Sequence, residues 1–105
     1  MNKVKTAILI SGRGSNMTAL INAANDPFFP AEITIVISNV PSARGLEMAK
    51  SLGIKTNIID HTKYASRASF EDALHQRLTL EGVELVCLAG FMRILGQHFI
   101  SQWQR

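Results

Sequence analysis

The sequence predicts an α/β fold, a parallel sheet with helices packed against it. Three observations predict it. Four short runs of apolar, largely β-branched residues recur along the 105-residue chain, and helical patterns lie between them. The runs begin at residues 7, 33, 56 and 85, so successive starts are 26, 23 and 29 residues apart, about one strand–helix unit each. Three of the four runs are nearly continuous in apolar character, which suits strands covered on both faces.

The elements follow in order. Ala7–Ile10 is the first strand. Met17, Leu20, Ile21 and Ala24 fall at i, i+3, i+4 and i+7, the apolar face of a first helix. Asp26–Pro30 is a turn carrying the apolar pair Phe28 and Phe29. Ile33–Ile37 is the second strand. Ala43, Leu46 and Ala49 repeat at three residues, and Gly53 stands where a C-terminal cap glycine belongs. Thr56–Ile59 is the third strand. Phe70, Ala73, Leu74, Arg77 and Leu78 form the face of a third helix, with Ser66 as its N-cap and Gly82 as its terminator. Leu85–Leu88 is the fourth strand. Gly90–Leu95 follows, then a helix-like tail over 97–105. There is no linker, repeat or low-complexity tract.

Composition narrows the class. The length accommodates one domain at most. With 47% apolar and 18% charged residues the chain has enough apolar content to fold. The single cysteine, Cys87, excludes a disulfide framework and a multi-cysteine metal cage, and it reads as a buried small hydrophobe. No apolar run nears the ~18 residues of a membrane span. These features lead us to expect a reduced, cytoplasmic protein with no membrane partner. The net charge is +3, with Lys and Arg scattered. That favours small anionic ligands over nucleic acid, which would need a basic stripe.

The first strand runs into Ser11–Asn16, a glycine-rich loop that opens the first helix. A helix N-terminus presents free N–H groups and the positive end of the helix dipole, so it suits a phosphate. Gly12 and Gly14 let the backbone turn sharply and approach the anion, and Ser15 and Asn16 add a hydroxyl and an amide donor. Met17 stands where a dinucleotide loop needs its third glycine, and no Gly-Lys-Ser/Thr is present. Ser15 also lacks the frame of a nucleophile elbow. A monophosphate grip remains, beside the simpler reading that Ser15 or Asn16 merely caps the helix.

The histidines carry no constellation. His61, His75 and His98 are far apart and none has a metal-spaced partner, so no metal is expected. His75 reads as a surface residue of the third helix. His98 begins the tail. His61 pairs naturally with Asp60 in a loop. Asp60, Glu71, Asp72, Glu81 and Glu84 show no pairing suited to acid–base work.

Two segments, Ser11–Asn16 and Leu88–Leu95, together resemble phosphoribosylglycinamide formyltransferase, the folate-dependent family of purine biosynthesis. The resemblance runs in register from the first strand to the last residue. Ser38-Asn39 ends the second strand and Arg67 opens the third helix, as in the family. Methionyl-tRNA formyltransferases and formyltetrahydrofolate hydrolases share the fold but lack this Gly-x-Gly-Ser-Asn loop.

The resemblance implies a Rossmann-like three-layer α/β/α fold, with a mostly parallel sheet of about four strands here in the order 3-2-1-4. It implies transfer of a formyl group from 10-formyltetrahydrofolate, the co-substrate, to the amine of glycinamide ribonucleotide. Gly14, Ser15 and Asn16 would hold the ribonucleotide phosphate, with Gly90 against the same substrate. Met92, Arg93, Ile94 and Leu95 would line the folate pocket, and Arg67 would reach the folate's carboxylate end. The family's catalytic Asn, His and Asp would fall beyond Arg105, in and after an Asn-x-His-Pro-Ser segment. The 105 residues are then expected to be the N-terminal part of a formyltransferase domain, inactive alone. In the family the fourth strand is internal. Here Leu85–Leu88 would be an exposed edge inviting self-association. Without the resemblance, Arg67 reads as a first-turn surface residue and Phe91, Met92, Ile94 and Leu95 as core. The competing readings are a non-enzymatic phosphate- or nucleotide-binding module, and another formyltetrahydrofolate-using enzyme of this fold.

Overall fold

The computed structural model describes residues 3–93 and 95–103. The order is β1 (Val4–Ile10), α1 (Ser15–Ala24), β2 (Ala31–Ser38), α2 (Arg44–Ser51), β3 (Lys55–Ile58), a 3₁₀ turn (His61–Lys63), α3 (Arg67–Leu80), β4 (Leu85–Leu88) and α4 (Gln97–Trp103). The four strands form one sheet in the order β3-β2-β1-β4, and every pairing is parallel. Fold class and strand order are those expected. The first two strands start earlier than their apolar cores: β1 takes in Val4, Lys5 and Thr6, and β2 begins at Ala31. β3 closes at Ile58, one residue short of Ile59.

β1 is continuous in apolar residues because it is central and covered on both faces. Alternation along it separates two cores. Ala7 and Leu9 join Ile35 and Ile37 beneath α3 (Phe70, Leu74, Leu78) and Phe99 of α4. Ile8 and Ile10 join Val36 beneath α1 (Met17, Ile21) and α2 (Leu46, Ala49). The result is three layers, with α1 and α2 on one face and α3 and α4 on the other. The register shifts between Thr6 and Ala7, where Ile33 and Ile35 are the successive partners and Thr34 is passed over. This extra residue alters the side-chain alternation. Ile33 therefore packs with the α1/α2 core while Ile35 packs with the α3/α4 core.

Helix ends follow the cap chemistry. Ser66 accepts the Ser69 N–H at 3.1 Å, and the Ser69 hydroxyl accepts the Ser66 N–H at 3.2 Å, a reciprocal capping box. Gly53 and Gly82 adopt left-handed φ values of 80° and 73° just beyond α2 and α3.

Three expectations are corrected. His75 is not a surface residue. It is half-buried, its ring meets Trp103 edge-on at 5.4 Å, and α4 folding back over α3 encloses its Nδ1 without a hydrogen-bond partner. His61 does not bond to Asp60. Asp60 is engaged by the backbone and hydroxyl of Thr62, which hold its carboxyl below the usual carboxylate range, and His61 Nδ1 turns to Asn39. Cys87 is half-buried rather than fully buried because β4 is a sheet edge; partial burial still raises its thiol pKa.

Candidate functional site

In an open parallel sheet the loops after the strands gather at one edge, where ligands bind. Here the loop after β1 meets the loop after β4. They enclose a cavity of about 210 Å³, with Ser11–Asn16 on one side and Ala89, Gly90 and Met92 on the other. Gly14, Ser15, Asn16, Gly90 and Met92, singled out from distant parts of the sequence, thus come together.

Gly14 is the N-cap of α1 and has left-handed dihedrals, φ 73° and ψ 32°. Its carbonyl accepts the Thr18 N–H at 2.9 Å and the Thr18 hydroxyl at 3.1 Å. No side chain caps α1, so neither Ser15 nor Asn16 is merely a structural cap. The first-turn N–H groups, which have no partner within a helix, are left for a ligand or solvent. Both side chains are exposed. Gly90 also has a left-handed φ, 74°, with nothing within 4 Å of its would-be Cβ.

The folate-side set is divided. Met92 is 80% exposed and borders the cavity beside the glycine-rich loop. Leu95 instead lines a separate apolar groove of about 170 Å³, with Val86, Leu88, Phe99, Ile100 and Trp103. Arg93 is exposed. Ile94 lies outside the described residues. Arg67 begins α3 with a side chain 57% exposed, its Nε 3.7 Å from a Glu71 carboxylate oxygen. That carboxylate, on a buried residue, also accepts the Gly96 N–H at 2.8 Å. Among the described residues, no group of three or more His, Cys, Asp or Glu could hold a metal ion, and no helix is long and apolar enough to cross a membrane.

Residues that sequence reasoning passed over build the frame. Gly45 lies in the first turn of α2, and its N–H donates to the Gly12 carbonyl at 3.0 Å. A Cβ there would stand 2.5 Å from Ile10 Cδ1 and 3.1 Å from the Gly12 oxygen. The glycine-rich loop can rest on α2 because that position has no side chain. An isolated glycine within a helical pattern was the available signal, since it costs about 1 kcal/mol against alanine and implies a packing reason. Ser11 and Glu71 carried no comparable mark; the hydrogen bonds by which they join the loops reach groups 25 to 81 residues away.

The formyl transferase family model matches residues 4–105. The chain is 50% identical over 103 residues to the trifunctional purine biosynthetic protein adenosine-3 of Gallus gallus, covering 98% of this chain and 10% of that one. It is 36% identical over 96 residues to phosphoribosylglycinamide formyltransferase of Escherichia coli (strain K12), covering 91% and 45%. The crystal structure of phosphoribosylglycinamide formyltransferase from Brucella melitensis superposes with a TM-score of 0.95 at 42% identity, covering 98% of this chain and 54% of that one. The chain thus spans about half the length of the bacterial relatives it matches. With the family model matched from β1 through α4, and the two segments that carried the resemblance meeting around one cavity, the chain belongs to the formyl transferase family.

Proposed function

We propose that this chain contributes the ribonucleotide-phosphate site and part of the folate pocket of a phosphoribosylglycinamide formyltransferase. The observation that carries this is the single cavity bounded by the uncapped start of α1 and by Gly90 and Met92. Gly14, Ser15 and Asn16 hold the phosphate of glycinamide ribonucleotide, with Gly90 against the same substrate. The residues present also suit part of 10-formyltetrahydrofolate. The groove beside Leu95 is apolar and Arg67 keeps an exposed guanidinium for a carboxylate; Met92, Arg93 and Ile94 are assigned to the same ligand by the resemblance alone. The reading places the protein in the cytoplasm, in purine biosynthesis, with no metal and no nucleic-acid partner.

Formyl transfer needs the ribonucleotide amine to attack the formyl carbon and then lose a proton. The residues of this chain bind and orient. The base and the oxyanion donor are the family's Asn, His and Asp, none of which matches His61, His75 or His98. We therefore infer that the 105 residues alone do not turn over substrate. A formyl-transfer assay with purified chain should show no rate above background; ordinary turnover would overturn the inference.

Binding tests the site directly. Titration with glycinamide ribonucleotide should show saturable binding. Ser15→Ala and Asn16→Ala should each weaken it about tenfold, since a hydrogen bond to a charged group contributes about 1.5–3 kcal/mol. Loss of folate-analogue binding in Arg93→Ala supports the two-substrate reading. Phosphate binding with no folate effect would favour a non-enzymatic phosphate module.

β4 pairs only with β1 among the described residues, and Leu88 is 57% exposed. An unpaired apolar edge invites another strand, and we propose that the chain self-associates through Leu85–Leu88. Sedimentation should show a concentration-dependent dimer that Leu88→Lys returns to monomer. A monomer at all concentrations would remove this claim.

A further inference from the structure

A line of side-chain hydrogen bonds crosses the ligand edge of the sheet and joins all four strand-end loops. The Met92 N–H, after β4, donates to Ser11 Oγ at 2.8 Å. The Ser11 hydroxyl, after β1, donates to Asn39 Oδ1 at 2.5 Å. His61 Nδ1, after β3, lies 3.1 Å from the Asn39 Nδ2 and 3.3 Å from the Asn39 carbonyl oxygen, after β2, so it accepts from the amide or donates to the carbonyl according to its tautomer. Asn39 is buried, so its amide groups depend on these partners rather than on water. Its backbone N–H also reaches the Ile10 carbonyl at 3.4 Å, which ties the end of β2 to the residue before Ser11.

Each bond holds the next in orientation. A serine hydroxyl can rotate freely, and only an acceptor placed on its far side fixes where its lone pairs point. Asn39 is that acceptor. The Met92 N–H therefore meets a lone pair held in place from β2. Met92 and Ser11 both line the cavity, and this bond is where its two sides meet.

We propose that Ser11 and Asn39 are positioning residues that set the gap between the anion loop and the Met92 segment, with Asn39 acting on Met92 through Ser11. The consequence for ligand binding rests on the function proposed above; the consequence for Met92 does not.

Amide hydrogen exchange and inorganic phosphate titration test the two consequences separately. In the wild-type chain the Met92 amide should exchange slowly for an exposed residue. Ser11→Ala should speed its exchange about tenfold, the loss of one bond of roughly 1.4 kcal/mol. Asn39→Ala should speed it by a comparable factor although Asn39 makes no bond to Met92. Combining the two should add little, because both break one line. Ser11→Thr, which keeps the hydroxyl, should restore protection. Thermal unfolding and exchange of core amides such as that of Leu9 identify any variant that loosens the whole fold. Should Asn39→Ala unfold the chain, Asn39→Asp keeps the acceptor for Ser11 and must then preserve Met92 protection. Unchanged Met92 exchange in folded Asn39→Ala, or fully additive effects in the double variant, would overturn the proposal. Phosphate affinity should follow Met92 protection across the series. Absence of phosphate binding in the wild type would remove the proposed anion site, while the exchange measurements would still decide the positioning role.

Discussion

Gly14→Ala should reduce ligand affinity at the anion cavity about tenfold to a hundredfold while leaving the chain folded. Two effects combine. A non-glycine residue at φ 73° is strained by roughly 1–2 kcal/mol. The new Cβ would also stand 3.0 Å from Met17 Cε and 3.2 Å from the Gly45 Cα. The methionine end can move, but the Gly45 backbone belongs to α2 and yields less. The loop must shift, and with it the N–H groups and side chains of Ser15 and Asn16. Losing one or two hydrogen bonds to an anion accounts for the affinity range. Gly53→Ala is the control. It has a similar φ, 80°, with nothing within 4 Å of its would-be Cβ, so it carries the strain without the contact. Both variants should lose stability in urea, and only Gly14→Ala should lose glycinamide ribonucleotide binding in a calorimetric titration. Equal affinity in the two would show that the loop tolerates displacement.

The largest loss of stability is expected at the centre of the sheet. Leu9 is fully buried in β1, between Ile37 of β2 and Leu88 of β4, in the core beneath α3. Leu9→Ala removes buried methyl groups and leaves a cavity, at a cost of about 2–5 kcal/mol. A domain of this length has a total stability on the order of 5–15 kcal/mol. One substitution can therefore remove much of the margin. Phe28 provides the contrast. It is larger but 86% exposed, in the turn after α1, and Phe28→Ala should cost less than about 0.5 kcal/mol. Urea unfolding of the two variants checks both values. A cost at Phe28 matching that at Leu9 would contradict this account of the core.

The two segments that carry the resemblance were legible for different reasons. Ser11–Asn16 reads as an anion loop from its own chemistry: two glycines, a hydroxyl and an amide at the start of a helix. The structure adds that no side chain caps that helix. Gly90–Leu95 has no such internal logic. Its residues read as core until the resemblance marks them, and the structure divides them. Met92 borders the cavity beside the glycine-rich loop and Leu95 the apolar groove, because the segment crosses from the β4 edge to the start of α4. Arg67 opens its helix as expected. Glu71, which shows no pairing suited to acid–base work in the sequence, has a structural role: it meets Arg67 one turn back and accepts the Gly96 N–H 25 residues further on.

From the sequence alone come the order of the elements, the parallel sheet, the N-cap at Ser66 and the glycine-rich loop that opens α1 after β1. These are local properties. Periodicity, cap chemistry and glycine placement each act within a few residues and leave their mark there. Only the tertiary structure decides that the glycine-rich loop lies on Gly45, and that Thr34 is passed over in the β1–β2 register, so that Ile33 and Ile35 serve opposite cores. It also decides that His61 turns to Asn39 rather than Asp60. The bonds from Ser11 to Asn39 and Met92 span 28 and 81 residues. Contacts at that separation depend on how strands stack and where their loops meet, and no short run of sequence specifies either.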